Sequence, residues 1–461
     1  APILLALALW DAFVARDLRA LRRRLLDWAA VLVIAWIGVW AVYGFRYAAA
    51  PQGLTLSPPL DTYLATLPNA ADGRLLALAG RLHLLPEAYL WGLANTKLTE
   101  FADTAYLFGH VYRHGPWWYF PAAFLIKSTL PLLILVAVAA VLRLDRLIGA
   151  QRLGALLIPP ALYFAVVSSS HFDIGVRHLL PVYPFLYVVA AGGAALLIRR
   201  GRFGALAMGA LMAWQAVTCL RAWPAYMAYG NEAWGGPPAV HRYLSDANVD
   251  WGQQLKGVKA WLDAHGANGD CWFAYFPDGA IEPADYGVNC RRLPTTDNLW
   301  WLDLPMQVPP AISGTVLISD SDLEGIEFGD GELNPYDGFR RLKPDAVIQG
   351  GVDVYRGRFA VPLAAALVRV RDSSRLQTAG DTFGALQAAA SAAALAPRSA
   401  IVQVRLAETL AARGRPAEAQ ARFLLARDLV REVRPDLQAA ELTPKVEAGL
   451  KATRAAAAAA K

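Results

Sequence analysis

Charge is scarce in this chain: 18% of its 461 residues are Asp, Glu, Lys or Arg, against 56% hydrophobic. The shortage argues against a wholly soluble protein and for a membrane protein with a soluble appendage. The apolar spans fill the first half, and the region after about Trp223 has ordinary globular composition. Cysteine is nearly absent, with 3 residues. Cys271 and Cys290 fit either a disulfide in an oxidising compartment or two buried thiols, whereas Cys219 lies in the last apolar span. Four of the 7 histidines, His110, His114, His171 and His178, fall near one membrane surface. None has HxxxH spacing on a clear helix face, so no metal ligand is assigned. The chain also has no initiator Met and no signal-peptide charge at its start, and the expectation is that earlier spans precede Ala1.

Six apolar stretches read as spans: Ala1–Trp10 (short), Trp28–Phe45, Trp117–Leu142, Gly154–Ser168, His178–Ile198 and Phe203–Leu220. Arg16, Arg19, Arg22, Arg23 and Arg24 crowd one connection, Arg143, Arg146 and Arg152 the next on that side, and Arg199, Arg200 and Arg202 the third. The positive-inside rule makes that side cytoplasmic. Residues 46–116, 169–177 and 221–461 then lie outside. The net charge of +6 is mostly this loop bias and does not point to nucleic acid.

Within the third stretch, Lys127 sits roughly ten residues beyond the start of the apolar run, where an ammonium costs about 2.5–3.5 kcal/mol. Such a charge needs a partner or a water-filled cavity. The preceding Trp117-Trp118-Tyr119-Phe120-Pro121 reads as an interfacial belt. Arg177, beside His178 at the outer end of the next span but one, can grip a phosphate bidentately or snorkel to lipid head groups. Among the outer carboxylates Asp61, Asp72, Glu87, Glu100, Asp103 and Asp173, Glu100 and Asp103 share a helix face at i, i+3 and are weak candidates for a general base.

Residues 46–116 are too many for a simple connector and contain two helical stretches, Leu75–Ala79 and Pro86–Leu98, that fit interfacial helices. Beyond the last span, Gln254–His265 reads as a helix, and Cys271–Phe276 and Thr315–Ser319 as buried strands. The polar Asp246/Asp250 turn reads either as a site or, the favoured reading, as a cap for the helix after it. Leu406, Ala407, Leu410, Gly414, Ala419, Phe423 and Ala426 follow tetratricopeptide spacing, with a weaker half-unit before them. The expected fold is mainly α: a multi-span helical bundle (1–221, with an outer loop 46–116), a small outer α/β domain (222–361) and a tetratricopeptide-like helical tail (362–461).

Three sets of residues carry a family resemblance. Tyr106-Leu107-Phe108-Gly109 followed by Gly115–Pro121, with Trp117, Trp118 and Tyr119, leads into Phe124–Pro131. Ile174–Pro184 contains Arg177-His178-Leu179-Leu180-Pro181. Asn231-Glu232, Gly235-Gly236-Pro237 and Asp246–Gln253, including Asn248, Asp250, Trp251 and Gln253, form the third set. Together they resemble bacterial GT-C integral-membrane glycosyltransferases, relatives of protein O-mannosyltransferases and lipid A aminoarabinose transferases. The resemblance implies transfer of a sugar from a polyprenyl-phosphate donor to a protein, lipid or glycan acceptor at the outer face of a bacterial inner membrane. It makes Lys127, Arg177 and His178 donor-phosphate candidates and places the acidic residue that acts as catalytic base in a first outer loop upstream of Ala1. No cofactor is certain, a divalent metal being the one candidate, and the helical tail offers a surface for a protein partner. The alternatives are a non-catalytic membrane scaffold and a transporter of lipid-linked glycans. The inner halves of the spans, nearly all Leu, Ala and Val, count against a polar transport path.

Overall fold

A computed structural model describes residues 2–16, 18–50, 54–102, 104–277 and 279–459. The chain divides into two compact units, Ala1–Asp103 with His114–Leu220, and Thr104–Arg113 with Arg221–Lys461.

The first unit is helical: α1 (Pro2–Ala15), α2 (Leu18–Val42), α3 (Leu60–Ala65), α4 (Ala70–Arg81), α5 (Glu87–Ala102), α6 (Tyr119–Lys127), α7 (Leu130–Val141), α8 (Leu144–Ile148), α9 (Ala150–Ser168), α10 (Tyr183–Ile198) and α11 (Arg202–Ala222). A 3-10 turn, Val176–Val182, leads into α10. Among the described residues four stretches are long and apolar enough to cross a membrane: Leu21–Val42, Ala150–Ser168, Val176–Ile198 and Arg202–Ala222. Ile34, Trp36 and Val42 stand exposed on the first, an apolar surface that lipid tails would cover.

Two of the six expected spans are not among these four. The first is described as a helix of 14 residues, Pro2–Ala15, shorter than the four stretches named above. The third is broken, for α6 and α7 meet at 108° across Ser128 and Thr129. The reason is local. Pro131 has no N–H for the carbonyl of Lys127, four residues back, and its ring would clash with that carbonyl. Ser128 and Thr129 are accordingly extended, with ψ of 140° and 141°. Lys127 therefore ends a helix, where a cation meets the negative end of the helix dipole, instead of standing inside a continuous span.

Between α2 and α6, helices α3, α4 and α5 pack around Leu60, Leu64, Leu67, Leu90 and Ala94. Asn69 starts α4 by accepting a hydrogen bond from the Ala71 N–H at 2.9 Å.

The second unit opens with a hairpin, β1 (Ala105–Leu107) and β2 (His110–Tyr112), which the sequence had assigned to the membrane region. After α11 come α12 (Leu255–Ala264), β3 (Cys271–Ala274), β4 (Arg291–Arg292), β5 (Ala311–Ser319), α13 (Asp320–Glu324), β6 (Ala346–Ile348) and β7 (Val352–Ala360). The sheet order is β4-β3-β5-β7-β6, with β3 parallel to both neighbours and β7 antiparallel to β5 and β6. Alternation along the strands divides the core. Trp272, Ala274, Val316 and Ile318 face a layer shared with Leu367 and Val368, while Cys271, Phe273 and Leu317 face Leu255, Val258 and Leu262 of α12. With both faces covered, the strands read as continuous apolar runs.

Cys271 and Cys290 form a disulfide at a separation of 19 residues, tying the start of β3 to the residue before the two-residue edge strand β4. Closing a loop of that size stabilises by about 3 kcal/mol. Replacing both cysteines by Ala should lower the thermal midpoint of this unit, and added reductant should reproduce the loss in the unsubstituted protein.

Five helices follow: α14 (Pro362–Thr378), α15 (Thr382–Leu395), α16 (Ala400–Ala412), α17 (Pro416–Glu432) and α18 (Pro435–Ala459). Consecutive helices pack on one another. Leu406, Ala407, Leu410, Ala419, Phe423 and Ala426 are all buried, with Gly414 in a left-handed turn at φ +69°. The helical stretch is longer than the spacing suggested, because α14 and α15 form a complete hairpin.

Candidate functional site

In the first unit the residues with most chemical potential gather where α5 ends, where α6 begins and in the loop between α9 and the 3-10 turn. Asp173 of that loop is 4% exposed, and its Oδ2 has no hydrogen-bond partner among the described residues. Burial, followed by repulsion from Glu100, pushes its pKa up to about 7. Gly115 is what allows the carboxylate to sit there, since a Cβ at that position would come within 1.8 Å of Asp173 Oδ2. Glu100, 18% exposed in its side chain, pairs with Lys97 at 2.9 Å and accepts the His171 backbone N–H at 3.3 Å. His171 Nδ1 lies 3.3 Å from the Gly115 carbonyl oxygen, which accepts only, so that nitrogen carries the proton. The His114 ring is 5.4 Å from that of His171. An acid that is half-ionised near neutrality thus lies beside a second carboxylate and two imidazoles.

The three candidate donor cations are placed by α6 and by the 3-10 segment that leads into α10. Arg177 is exposed in the first turn of the 3-10 segment. Gly175, two residues earlier, has φ +150° and ψ 154°, a conformation open to glycine. His178 is held edge-on between Phe120 at 6.3 Å and Phe172 at 5.1 Å. Further along α6, Phe124 meets Tyr183 at 5.9 Å and Ser128 shares a 3.0 Å hydrogen bond with it. Seven residues of helix, about 10 Å, separate the Phe120 level from Lys127. Arg177 and His178 therefore stand at the end of α6 nearer Asp173, and Lys127 stands at its other end, beside the Ser128–Tyr183 pair. Asp103, the partner expected for Glu100, lies outside the described residues.

The aromatic motif is divided between the units. Trp117, exposed, and Trp118 and Tyr119 belong to the first, Tyr119 being fully buried. Tyr106 and Gly109 belong to the second, in the β1–β2 hairpin, where Gly109 takes φ +87°.

The third motif builds a buried polar cluster at the carboxyl end of β5. Asn231 caps a short 3-10 turn through Ala233 N–H, with Glu232 exposed at its start. Asn248 donates to the Ser245 carbonyl. Gln253 accepts from Trp251 N–H and donates to the Val249 carbonyl. Asp246 and Asp250 do not cap α12, whose N-cap is Gln254. Instead the Asp246 N–H donates to Ser321 Oγ at 3.2 Å, and Asp250 accepts from Gly252 N–H at 2.9 Å. Both are buried, and burial lifts the Asp250 pKa to about 6.

Sequence reasoning missed the centre of this cluster, Glu324. It is gripped by Tyr106 Oη, by His241 Nδ1 at 2.9 Å and by Arg340 Nε at 2.8 Å. Burial alone would lower the His241 pKa, but Asp320, Glu324 and Asp353 outweigh it and raise it to about 9. Asp320 is pushed well above the carboxylate range by burial. Tyr106, His241 and Glu324 come from three distant stretches of chain, so no local spacing signals the node. Among the described residues no group of three or more His, Cys, Asp or Glu is placed to hold a metal ion.

No known protein family, curated protein or solved structure matches this chain.

Proposed function

We propose that the chain is a membrane glycosyltransferase of the GT-C kind, moving a sugar from a polyprenyl-phosphate donor to a protein, lipid or glycan acceptor at the outer face of a bacterial inner membrane. One observation carries the reading: Asp173, an acid poised near neutral pH, lies four residues before the exposed cation Arg177, beside helices of membrane-spanning length. In this reading Asp173 takes the proton of the acceptor hydroxyl as the sugar carbon is attacked. Arg177, with His178 behind it, stabilises the charge that develops on the departing lipid phosphate. Lys127 steadies the donor at the other end of α6. The arginines flanking α7, α9, α10 and α11 support the orientation. The helical tail, in the same reading, is a tetratricopeptide-like module for a protein partner.

Sugar transfer by the full-length protein in liposomes tests this. Arg177→Ala should slow transfer about tenfold or more, the value of a lost charge-assisted hydrogen bond, and Lys127→Ala should also weaken donor use. Undiminished transfer in both variants would remove the donor-site assignment.

A second reading, a non-catalytic scaffold, is favoured by a cavity of about 840 Å³ in the second unit, lined by Trp300, Leu333, Leu363, Val404, Arg405 and Leu437. Its mixed lining, with Glu408, Glu441 and Lys445 beside these apolar side chains, suits a peptide segment. Absence of any transfer by the intact protein would favour it.

A further inference from the structure

Another concavity of the second unit, about 850 Å³, opens between the edge strand β4 and α14. Arg291 and Arg292 line one side, Arg369 the other, with Trp272 and residues 305–309 between them. The loop is held in place. Arg371, itself buried, donates to the carbonyls of Leu304 and Met306, the latter at 3.3 Å. On the opposite side the Cys271–Cys290 disulfide fixes the approach to β4.

The lining carries three guanidinium groups and one carboxylate, Asp372, and that carboxylate is occupied by Arg371 at 2.7 Å. Arg292 is paired with Glu282. Arg291 reaches Asp270 at 3.0 Å, but Asp270 is 86% exposed, and a surface pair of this kind is worth no more than about 1 kcal/mol. Arg369 donates to the Ala365 carbonyl of its own helix at 3.0 Å and has no carboxylate partner among the described residues. Trp272 is 4% exposed, and its indole N–H has no hydrogen-bond acceptor among the described residues. The Arg291 guanidinium lies over its ring, 4.2 Å from the centroid.

Guanidinium groups outnumber carboxylates in this lining and its charge is positive, so the matching ligand is acceptor-rich and anionic. We propose that this groove binds an oxyanion, the phosphate or carboxylate group of a small molecule or glycan, with Arg369 and Arg291 as its principal grips. The inference is independent of the transferase reading, which uses none of these residues.

Calorimetric titration of the full-length protein in neutral detergent, with inorganic phosphate and separately with galacturonate, tests it. Saturable binding of either is expected, and the one that binds tells phosphate from carboxylate. Arg369→Gln should weaken that binding about tenfold or more, and Arg413→Gln, on a separate exposed surface, should not change it. Arg291→Gln, on the exposed edge, should also weaken it and serves as the readable variant if Arg369→Gln does not fold. No saturable binding of either anion, or unchanged affinity in a folded Arg369 or Arg291 variant, would overturn the proposal.

Discussion

Asp173→Asn is expected to reduce sugar transfer by about a hundredfold or more while leaving the protein folded, since a positioned general base contributes roughly 10²–10⁴ in rate. Asn keeps the shape that Gly115 accommodates and removes the proton acceptor. The pH profile provides the sharper test. Because burial and Glu100 raise the Asp173 pKa to about 7, the competent carboxylate accumulates as pH rises through 7, and transfer should climb over that range and then level. Stability runs the other way: an acid whose folded pKa exceeds its unfolded value favours the fold at low pH, and that contribution is lost as pH rises through about 7. Asp173→Asn should flatten both trends. Glu100→Gln removes a like charge and should move the ascending limb toward acid. A merely structural Asp173 would alter thermal stability without shifting that limb, and an unshifted profile in Glu100→Gln together with full activity in Asp173→Asn would end its assignment as a base.

The apolar first half made the long helices legible, because a lipid-length run of Leu, Ala and Val has no other common reading. The break after Lys127 was legible too, in Pro131, yet hydropathy averaged over a window passes across it. What the window missed decides the meaning of Lys127, which is a helix end in place of a charge stranded in mid-span. The strands at Cys271 and Thr315 followed from short apolar runs and the helix after Gln254 from amphipathic spacing. Asp173 appeared among the outer carboxylates without distinction. Its elevated pKa depends on Gly115 and Glu100, 58 and 73 residues away along the chain, and pairwise proximity over such separations leaves no trace in composition or period. The Asp246/Asp250 turn misled for the same reason: locally it resembles a cap, while its Asp246 N–H is bonded to Ser321, in α13 and far along the chain.

Glu324→Ala is expected to destabilise the second unit by about 3–5 kcal/mol, the cost of removing one partner from a buried ion pair. The side chain is 3% exposed and serves Tyr106, His241 and Arg340 at once. Its loss would leave His241 and Arg340 cationic with their shared acceptor gone, and would release the Tyr106 hydroxyl. Two segments should loosen first, the hairpin bearing Tyr106 and the 3-10 turn bearing His241. Hydrogen exchange on the full-length protein would show faster exchange in both, with β5 and β7 less affected. The pH dependence has a definite sign. His241 titrates near 9 in the folded unit against about 6.5 unfolded, so its contribution is fully present below about pH 6.5 and is lost as pH rises through 9. Asp250, raised to about 6, and Asp320, raised further, act in the same direction at their own values. The unit should therefore weaken steadily toward alkaline pH, and Glu324→Gln should reduce the slope between about 6.5 and 9 because part of the field holding the His241 proton is gone. Unchanged hairpin exchange in Glu324→Ala would mean that the hairpin is held chiefly by its other contacts, among them the pairing of Leu107 with Leu244 and the hydrogen bond from Arg340 to the Gly109 carbonyl.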